Sequence, residues 1–296
     1  MRQRIKTILG RLALGTPLTR WRHTGRLLVL TFHRVRPDGE SADGRPMRNL
    51  EVPVSAFRAL LSWMCQRYTP IALAEGLEAA APPSRQPCFA VTFDDGWADN
   101  AEWAAPVLQE LHIPAVIFLS TGAVDRRIPF WWQWPGLTDA EIEAAKSLPT
   151  AELEARMTAA PPEVRAACAK EFLTWEQIRA CAEGGLVRFG LHGDRHALLT
   201  SLSYAEALED VARGREIVLK NAAEAYVPFL AWPNGNARPQ MGPALESMGV
   251  RAAFGTQRGT IQRPMDAAHR WTLARNNVDR HLAETPDLWP WLLARA

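Results

Sequence analysis

Short runs of apolar, β-branched and aromatic residues recur along the chain, and each is cut off by a polar turn. Arg26 to Phe32 stops at His33. Cys88 to Phe93 stops at Asp94-Asp95-Gly96. Ala115 to Ser120, Val187 to Leu191 and Pro228 to Trp232 follow, with shorter candidates near Arg251 to Phe254 and Arg270 to Leu273. Runs of this length, bounded by Pro, Gly and Asp, predict buried strands. Between them the apolar positions fall at the helical period. Phe57, Leu60, Leu61 and Met64 predict a helix over Val54 to Tyr68, and Ile71 to Ala80 a short one. Trp103, Val107, Leu108 and Leu111 predict another over Asn100 to Leu111, and Leu208, Val211, Val218 and Leu219 a fourth; a fifth runs from about Pro239 to Met248. Thr138/Glu141, Thr174/Gln177 and Ser203/Glu206 have the capping-box spacing. Strand, helix and strand in this rhythm are βαβ units, which imply parallel strands and an α/β fold.

The segment from about Asp125 to Phe172 breaks the rhythm. It opens on Phe130-Trp131-Trp132-Gln133-Trp134-Pro135 and continues Ala- and Glu-rich, as a helical, Trp-rich insertion over one face. The polar punctuation also falls in a constant place. His33, Asp94, Asp95, His192 and the Trp232-Pro233-Asn234 turn all lie just past the end of a predicted strand. In a parallel α/β barrel those ends share one face, the one that carries the active site.

Length and composition narrow this picture. A chain of 296 residues accommodates one α/β barrel of roughly 200–250 residues. The net charge of +2 excludes a general nucleic-acid binder. Cys65, Cys88, Cys168 and Cys181 are scattered, without a C-x-x-C pair, which fits a reducing compartment and no disulfide framework. Residues 1–26 form a basic N-terminal segment with seven Lys or Arg and no acid, and the barrel occupies 27–296. That segment lacks a signal-peptide apolar core and cleavage site, and no stretch of the chain is long enough to span a bilayer. The expectation is a cytoplasmic protein, with the basic segment making a peripheral contact at the inner membrane face.

The candidate chemistry rests on carboxylates and imidazoles. Asp94 and Asp95 are adjacent like charges, costly to hold together without a cation or a proton. The bland alternative is an ordinary strand-to-turn junction. His192 and His196 are four apart, and on a helical turn that spacing turns both rings to one side. Two imidazoles and one carboxylate form a catalytic metal set with a position left for water, and a second carboxylate can act as base.

These residues carry a family likeness. Thr92-Phe93-Asp94-Asp95-Gly96 matches the first motif of the polysaccharide deacetylase family, the NodB-homology domain also called carbohydrate esterase family four. His192-Gly193-Asp194-Arg195-His196 resembles its His-[Ser/Thr]-x-x-His motif, and Phe229-Leu230-Ala231-Trp232-Pro233-Asn234-Gly235 its third. Leu30-Thr31-Phe32-His33-Arg34-Val35 resembles the opening strand of the branch whose general-acid His lies at the N-terminus. The resemblance implies a distorted (β/α) barrel of about seven strands. It implies Asp94 as general base, His33 as general acid, and Asp95, His192 and His196 as ligands of one divalent transition metal, with zinc expected. It also implies a carbohydrate substrate and N-deacetylation of an amino sugar in a glycan or lipid-linked precursor. Deformylation of a lipid-linked amino sugar, or a degenerate barrel that only binds glycan, are the alternatives. Trp97, Trp132, Trp232, Pro233 and Asn234 are the expected sugar contacts. Two departures stand out: Gly193 replaces the motif's Ser/Thr, and the third motif offers no arginine for the catalytic Asp, leaving Arg275 or Arg34 as candidates.

Overall fold

The structure, a computed structural model, describes residues 22–40, 47–77, 87–133 and 136–296. Residues 1–21 of the basic segment, 41–46, 78–86 at the end of the second expected helix and beyond it, and Trp134 with Pro135 lie outside them. Eleven strands are present among the described residues: β1 (Arg26–Phe32), β2 (Arg34–Arg36), β3 (Glu51–Pro53), β4 (Thr69–Pro70), β5 (Cys88–Phe93), β6 (Ala115–Leu119), β7 (Val187–Leu191), β8 (Tyr226–Ala231), β9 (Ala252–Phe254), β10 (Thr260–Gln262) and β11 (Asn276–Asn277). β1, β5, β6, β7, β8 and β9 lie side by side and parallel, with β10 antiparallel on the outer side of β1. The chain after β10 bridges the two ends of the curled sheet. Leu273 pairs parallel with Phe254, and three residues later β11 pairs parallel with Leu30 and Thr31. This is the expected seven-stranded distorted barrel, and 270–278 is the stretch that spans its seam.

Strand parity decides what faces the barrel axis. Leu27, Val29, Ala90, Val116, Phe118, Phe229, Ala231, Ala252 and Phe254 pack together inside. Their neighbours Leu28, Leu30, Phe32, Val91, Phe93, Ile117, Phe189 and Leu191 pack outward against the helix layer. Because side chains alternate across a strand, His33, Asp94 and His192 continue the inward-facing series at one rim. The register aligns them: Phe32 pairs with Phe93 and Leu119 with Leu191.

Gly190 shows how full the interior is. A Cβ there would stand 2.6 Å from Phe118 Cδ1 and 3.0 Å from the Phe229 carbonyl. The ring cannot retreat without displacing Phe254, 5.8 Å away between centroids. Gly190→Ala is expected to cost about 1–3 kcal/mol by overpacking, read as a lower denaturant midpoint with an unchanged slope; an unshifted midpoint would contradict this packing.

All three capping boxes form: Thr138, Thr174 and Ser203 each accept from the backbone N–H three residues on, and Glu141, Gln177 and Glu206 return the bond. Two expectations fail locally. The helix over Asn100 to Leu111 begins as a π-helical turn, Asn100–Ala104, before an α-helix at Ala105–Glu110. The wider turn breaks the 3.6-residue spacing, so Trp103 is exposed instead of packed. The last strand is also not Arg270 to Leu273. The Arg270 carbonyl accepts from the Ala253 N–H at 2.7 Å, but the Thr272 N–H bonds the His269 carbonyl in a turn, and the pairing with Phe254 is confined to a single bridge at Leu273.

Candidate active site

β5 ends by pointing Asp94 along the barrel axis. There the Arg275 guanidinium meets it in a fork, Nη1 to Oδ1 at 2.6 Å and Nη2 to Oδ2 at 2.8 Å. Arg275 is buried and is itself held by its Nε donating to the Gly255 carbonyl at 3.0 Å. Burial alone would push the Asp94 carboxyl up. Arg275, with His192 and His33 nearby, outweighs burial and holds it below its ordinary value. The partner missing from the third motif is therefore supplied by the chain that closes the barrel. Arg34, the other candidate, goes elsewhere: it bonds Asp99 at 2.7 Å and Glu171 at 2.5 Å and covers the Trp97 ring at 4.2 Å.

Asp95 takes a left-handed backbone (φ 78), followed by Gly96 (φ 86), so the chain turns sharply and the two adjacent carboxylates diverge. Asp95 Oδ2 accepts from Trp97 Nε1 at 2.9 Å. Its Oδ1 lies 3.4 Å from His192 Nε2 and 3.2 Å from His196 Nε2. His192 Nδ1 bonds the Ala231 carbonyl at 2.8 Å, which assigns the proton to Nδ1 and leaves the Nε2 lone pair facing Asp95. Among the described residues, this is the only group of three or more His, Cys, Asp or Glu side chains whose ligand atoms lie within 4.8 Å of one another. Asp95 Oδ1 is buried with no hydrogen-bond donor on it among the described residues. A bare carboxylate oxygen facing two imidazole nitrogens fits a divalent cation with further positions open. The His192-to-His196 spacing reaches this geometry without a helix. The loop uses left-handed residues at Gly193 (φ 75) and His196 (φ 54), which corrects the expected helical turn.

His33 follows β1 at the same rim. Its carbonyl accepts from Asn100 Nδ2 at 2.9 Å, and its Nδ1 has no partner among the described residues. His33, Asp94, Asp95, His192 and His196 line one cavity of ≈ 250 Å³. Trp132 and Asn234 line it too, with Trp132 4.6 Å from the His196 ring. The other expected sugar contacts do not. Trp97 is buried, stacked on Phe172 at 4.7 Å, and braces Asp95. Trp232 is fully buried, its Nε1 bonded to the Trp271 carbonyl, and Pro233 is buried beside it. Core packing, not solvent, takes those faces. Sequence reasoning missed much of the wall: the apolar Met47, Leu50, Ile142, Leu148, Leu153 and Leu198 stand beside the polar Lys146, Thr150, Glu154, Arg195, Thr256 and Asn277. Ile142, Leu148 and Leu153 belong to the helical segment 139–158, whose apolar positions carried no sign that they would reach the rim.

A family model described as polysaccharide deacetylase matches residues 81–253, more than half of the chain. The poly-beta-1,6-N-acetyl-D-glucosamine N-deacetylase of Escherichia coli K12 is 27% identical over 89% of this chain and 39% of its own length. The chain thus spans about two fifths of that relative. The putative polysaccharide deacetylase YxkH of Bacillus subtilis is 23% identical, over 83% of this chain and 70% of its own. Among solved structures, Streptococcus pyogenes deacetylase PplD in complex with acetate aligns with a TM-score of 0.63 at 16% identity, covering 87% of this chain and 94% of that one. IcaB from Ammonifex degensii aligns at 0.62 and 24% identity, over 91% and 96%. At these identities the structures establish the shared fold.

Proposed function

The chain belongs to the polysaccharide deacetylase family, and from that premise we propose that it is a metal-dependent hydrolase that removes the N-acetyl group from an amino sugar. The observation that carries this is the Arg275-clamped Asp94 standing beside the Asp95, His192 and His196 cluster. The name of the Escherichia coli relative supports an N-acetylglucosamine unit as the group acted on.

Asp95, His192 and His196 would hold a divalent cation, with zinc suited to two imidazoles and one carboxylate, and the cation would supply Lewis acidity toward an amide carbonyl and a water. Asp94 is ionised through the neutral range and takes a proton from the attacking water. Arg275 fixes both carboxylate oxygens, so the base cannot rotate away. Water adds to the carbonyl carbon, the C–N bond breaks, and His33 gives a proton to the departing nitrogen. Trp132 and Asn234 orient the sugar at the mouth.

The aliphatic wall favours one refinement. A cavity of ≈ 250 Å³ suits a single sugar unit, and its leucines and isoleucine suit an apolar aglycone, with Lys146, Glu154, Arg195 and Asn277 in the same wall to bind hydroxyls or a charged linkage. A lipid-linked amino sugar is therefore the second reading for the substrate.

The test is acetate release from short N-acetylglucosamine oligomers and from a lipid-linked N-acetylhexosamine, before and after chelation. Chelated protein should lose release and regain it with added zinc. Formate release in place of acetate from the formylated analogue would move the assignment to a deformylase. Metal-replete protein that binds such sugars and hydrolyses none would leave a glycan-binding barrel.

A further inference from the structure

Gly193, the departure from the motif, is matched by a residue far along the chain. Asp210 lies on the helix Tyr204–Ala222, buried on the same face as Ala207, Val211, Gly214 and Val218. Its carboxylate reaches back into the His192–His196 loop. Oδ1 accepts from the Asp194 N–H at 2.8 Å, and Oδ2 from the Arg195 N–H at 3.3 Å and from Arg195 Nε at 3.0 Å. A Cβ on Gly193 would stand 2.5 Å from Asp210 Oδ1. One turn along, a Cβ on Gly214 would stand 3.2 Å from the Gly193 carbonyl carbon and oxygen. The loop lies backbone-on to the helix, and the glycine is what allows the carboxylate to approach. On the far side, the Thr121 and Gly122 N–H groups bond the Gly193 and Asp194 carbonyls at 3.2 and 2.7 Å, and Thr121 Oγ1 bonds Asp194 Oδ1 at 2.7 Å.

We propose that Asp210 is the positioning residue of the metal-binding loop, filling the role that the motif's hydroxyl residue would have in Gly193's place. The physical reason is the backbone. His192 and His196 flank two N–H groups with no strand or helix to receive them, and a buried carboxylate that accepts both fixes the loop between the imidazoles. Glycine and aspartate are then one device: a side chain at 193 and the carboxylate at 210 exclude each other. The inference rests on the proposed metal site.

The experiment is a double-mutant cycle on metal affinity, measured by cobalt(II) titration against a competing chelator, with the cobalt absorption spectrum and thermal unfolding recorded on each protein. Asp210→Ala should weaken cobalt binding by about 10–100-fold, the usual effect of losing a partner of a ligand shell, and alter the spectrum. Asp210→Asn, which keeps the shape and one acceptor, should fall between it and the wild type and guards against a variant that fails to fold. Gly193→Ser should weaken binding in the wild type and cost less in the Asp210→Ala background, where the clash is gone and only the strain of a side chain at φ 75 remains. Wild-type affinity and spectrum in folded Asp210→Ala and Asp210→Asn, or strictly additive losses at 193 and 210, would overturn the device while leaving the metal site standing. A wild type that binds no cobalt or zinc would instead overturn the metal-dependent reading itself.

Discussion

Asp95→Ala protein is expected to retain no tightly held divalent cation and to release acetate at least ~10³-fold more slowly than the wild type. Asp95 is the only anionic group in the cluster, and its Oδ1 is the atom that both Nε2 nitrogens face. Without it, two neutral imidazoles remain with no anionic ligand to offset the dehydration of a cation, because the neighbouring Asp94 is already paired with Arg275. The loss therefore exceeds the 10–100-fold typical of outer partners. Lewis acidity contributes several kcal/mol to such reactions, and ~1.4 kcal/mol is tenfold in rate. Two side effects need controls. Trp97 Nε1 loses its acceptor, which costs about 1–3 kcal/mol for a buried donor. Alanine is also strained at φ 78. Asp95→Gly relieves the second effect and should show the same loss of metal. Elemental analysis and acetate assay of both variants decide the matter; a full complement of metal in either would remove Asp95 from the ligand set.

Arg275→Met is expected to damage stability and catalysis together, with a pH signature that separates the two. Both members of the fork are buried. Removing one leaves an uncompensated carboxylate, at a cost of about 3–5 kcal/mol. In the wild type, Asp94 is held below its ordinary value. Its ionisation therefore favours the folded state above the carboxylate range near pH ~4, and that contribution is lost as the pH falls through the lowered value. With Arg275 gone, burial dominates and the Asp94 carboxyl rises. A raised acid favours the folded state only below its unfolded value, and that contribution is lost as the pH rises. The stability gap between Arg275→Met and wild type should thus be widest at neutral pH and narrow toward pH ~4. Acetate release should fall with it, and its acidic limb should move to higher pH, because the base is protonated where the wild type is active. Asp94→Asn should lose about 10²–10⁴-fold in rate, and the acidic limb that Asp94 sets should vanish from the activity that remains. A limb unchanged in Arg275→Met would place the essential base elsewhere.

Much of the frame was legible in the residues. The strand runs, the capping boxes and the polar residues just past each strand end state the α/β rhythm. Strand parity adds which way His33, Asp94 and His192 face. These are local rules of alternation and capping, carried by near neighbours in the chain, and the observed registers obey them. Where a local rule failed, a competing backbone state won: the π-helical turn at Asn100–Ala104 turned Trp103 outward, and left-handed residues replaced a helical turn between His192 and His196.

Asp210 left a trace that period alone could not interpret. It sits on the apolar face of its helix, where an acid needs a partner, but nothing near it in sequence names that partner. Trp97 and Trp232 show the reverse error. A tryptophan beside a motif suits a sugar or a core equally, and only packing on Phe172 or a bond to Trp271 decides.

The sequence by itself determined the α/β class, the rim on which the chemistry gathers and the carboxylate and imidazole set gathered there, because these follow from periodicity and residue chemistry within each element. The tertiary structure alone decided that Arg275 and not Arg34 clamps Asp94, that Asp210 stands where a side chain at 193 would go, and that aliphatic residues of a distant helical segment help wall the cavity. Those pairings join residues up to 181 positions apart. They depend on where closure of the barrel brings each backbone, a quantity that no local pattern of side chains encodes.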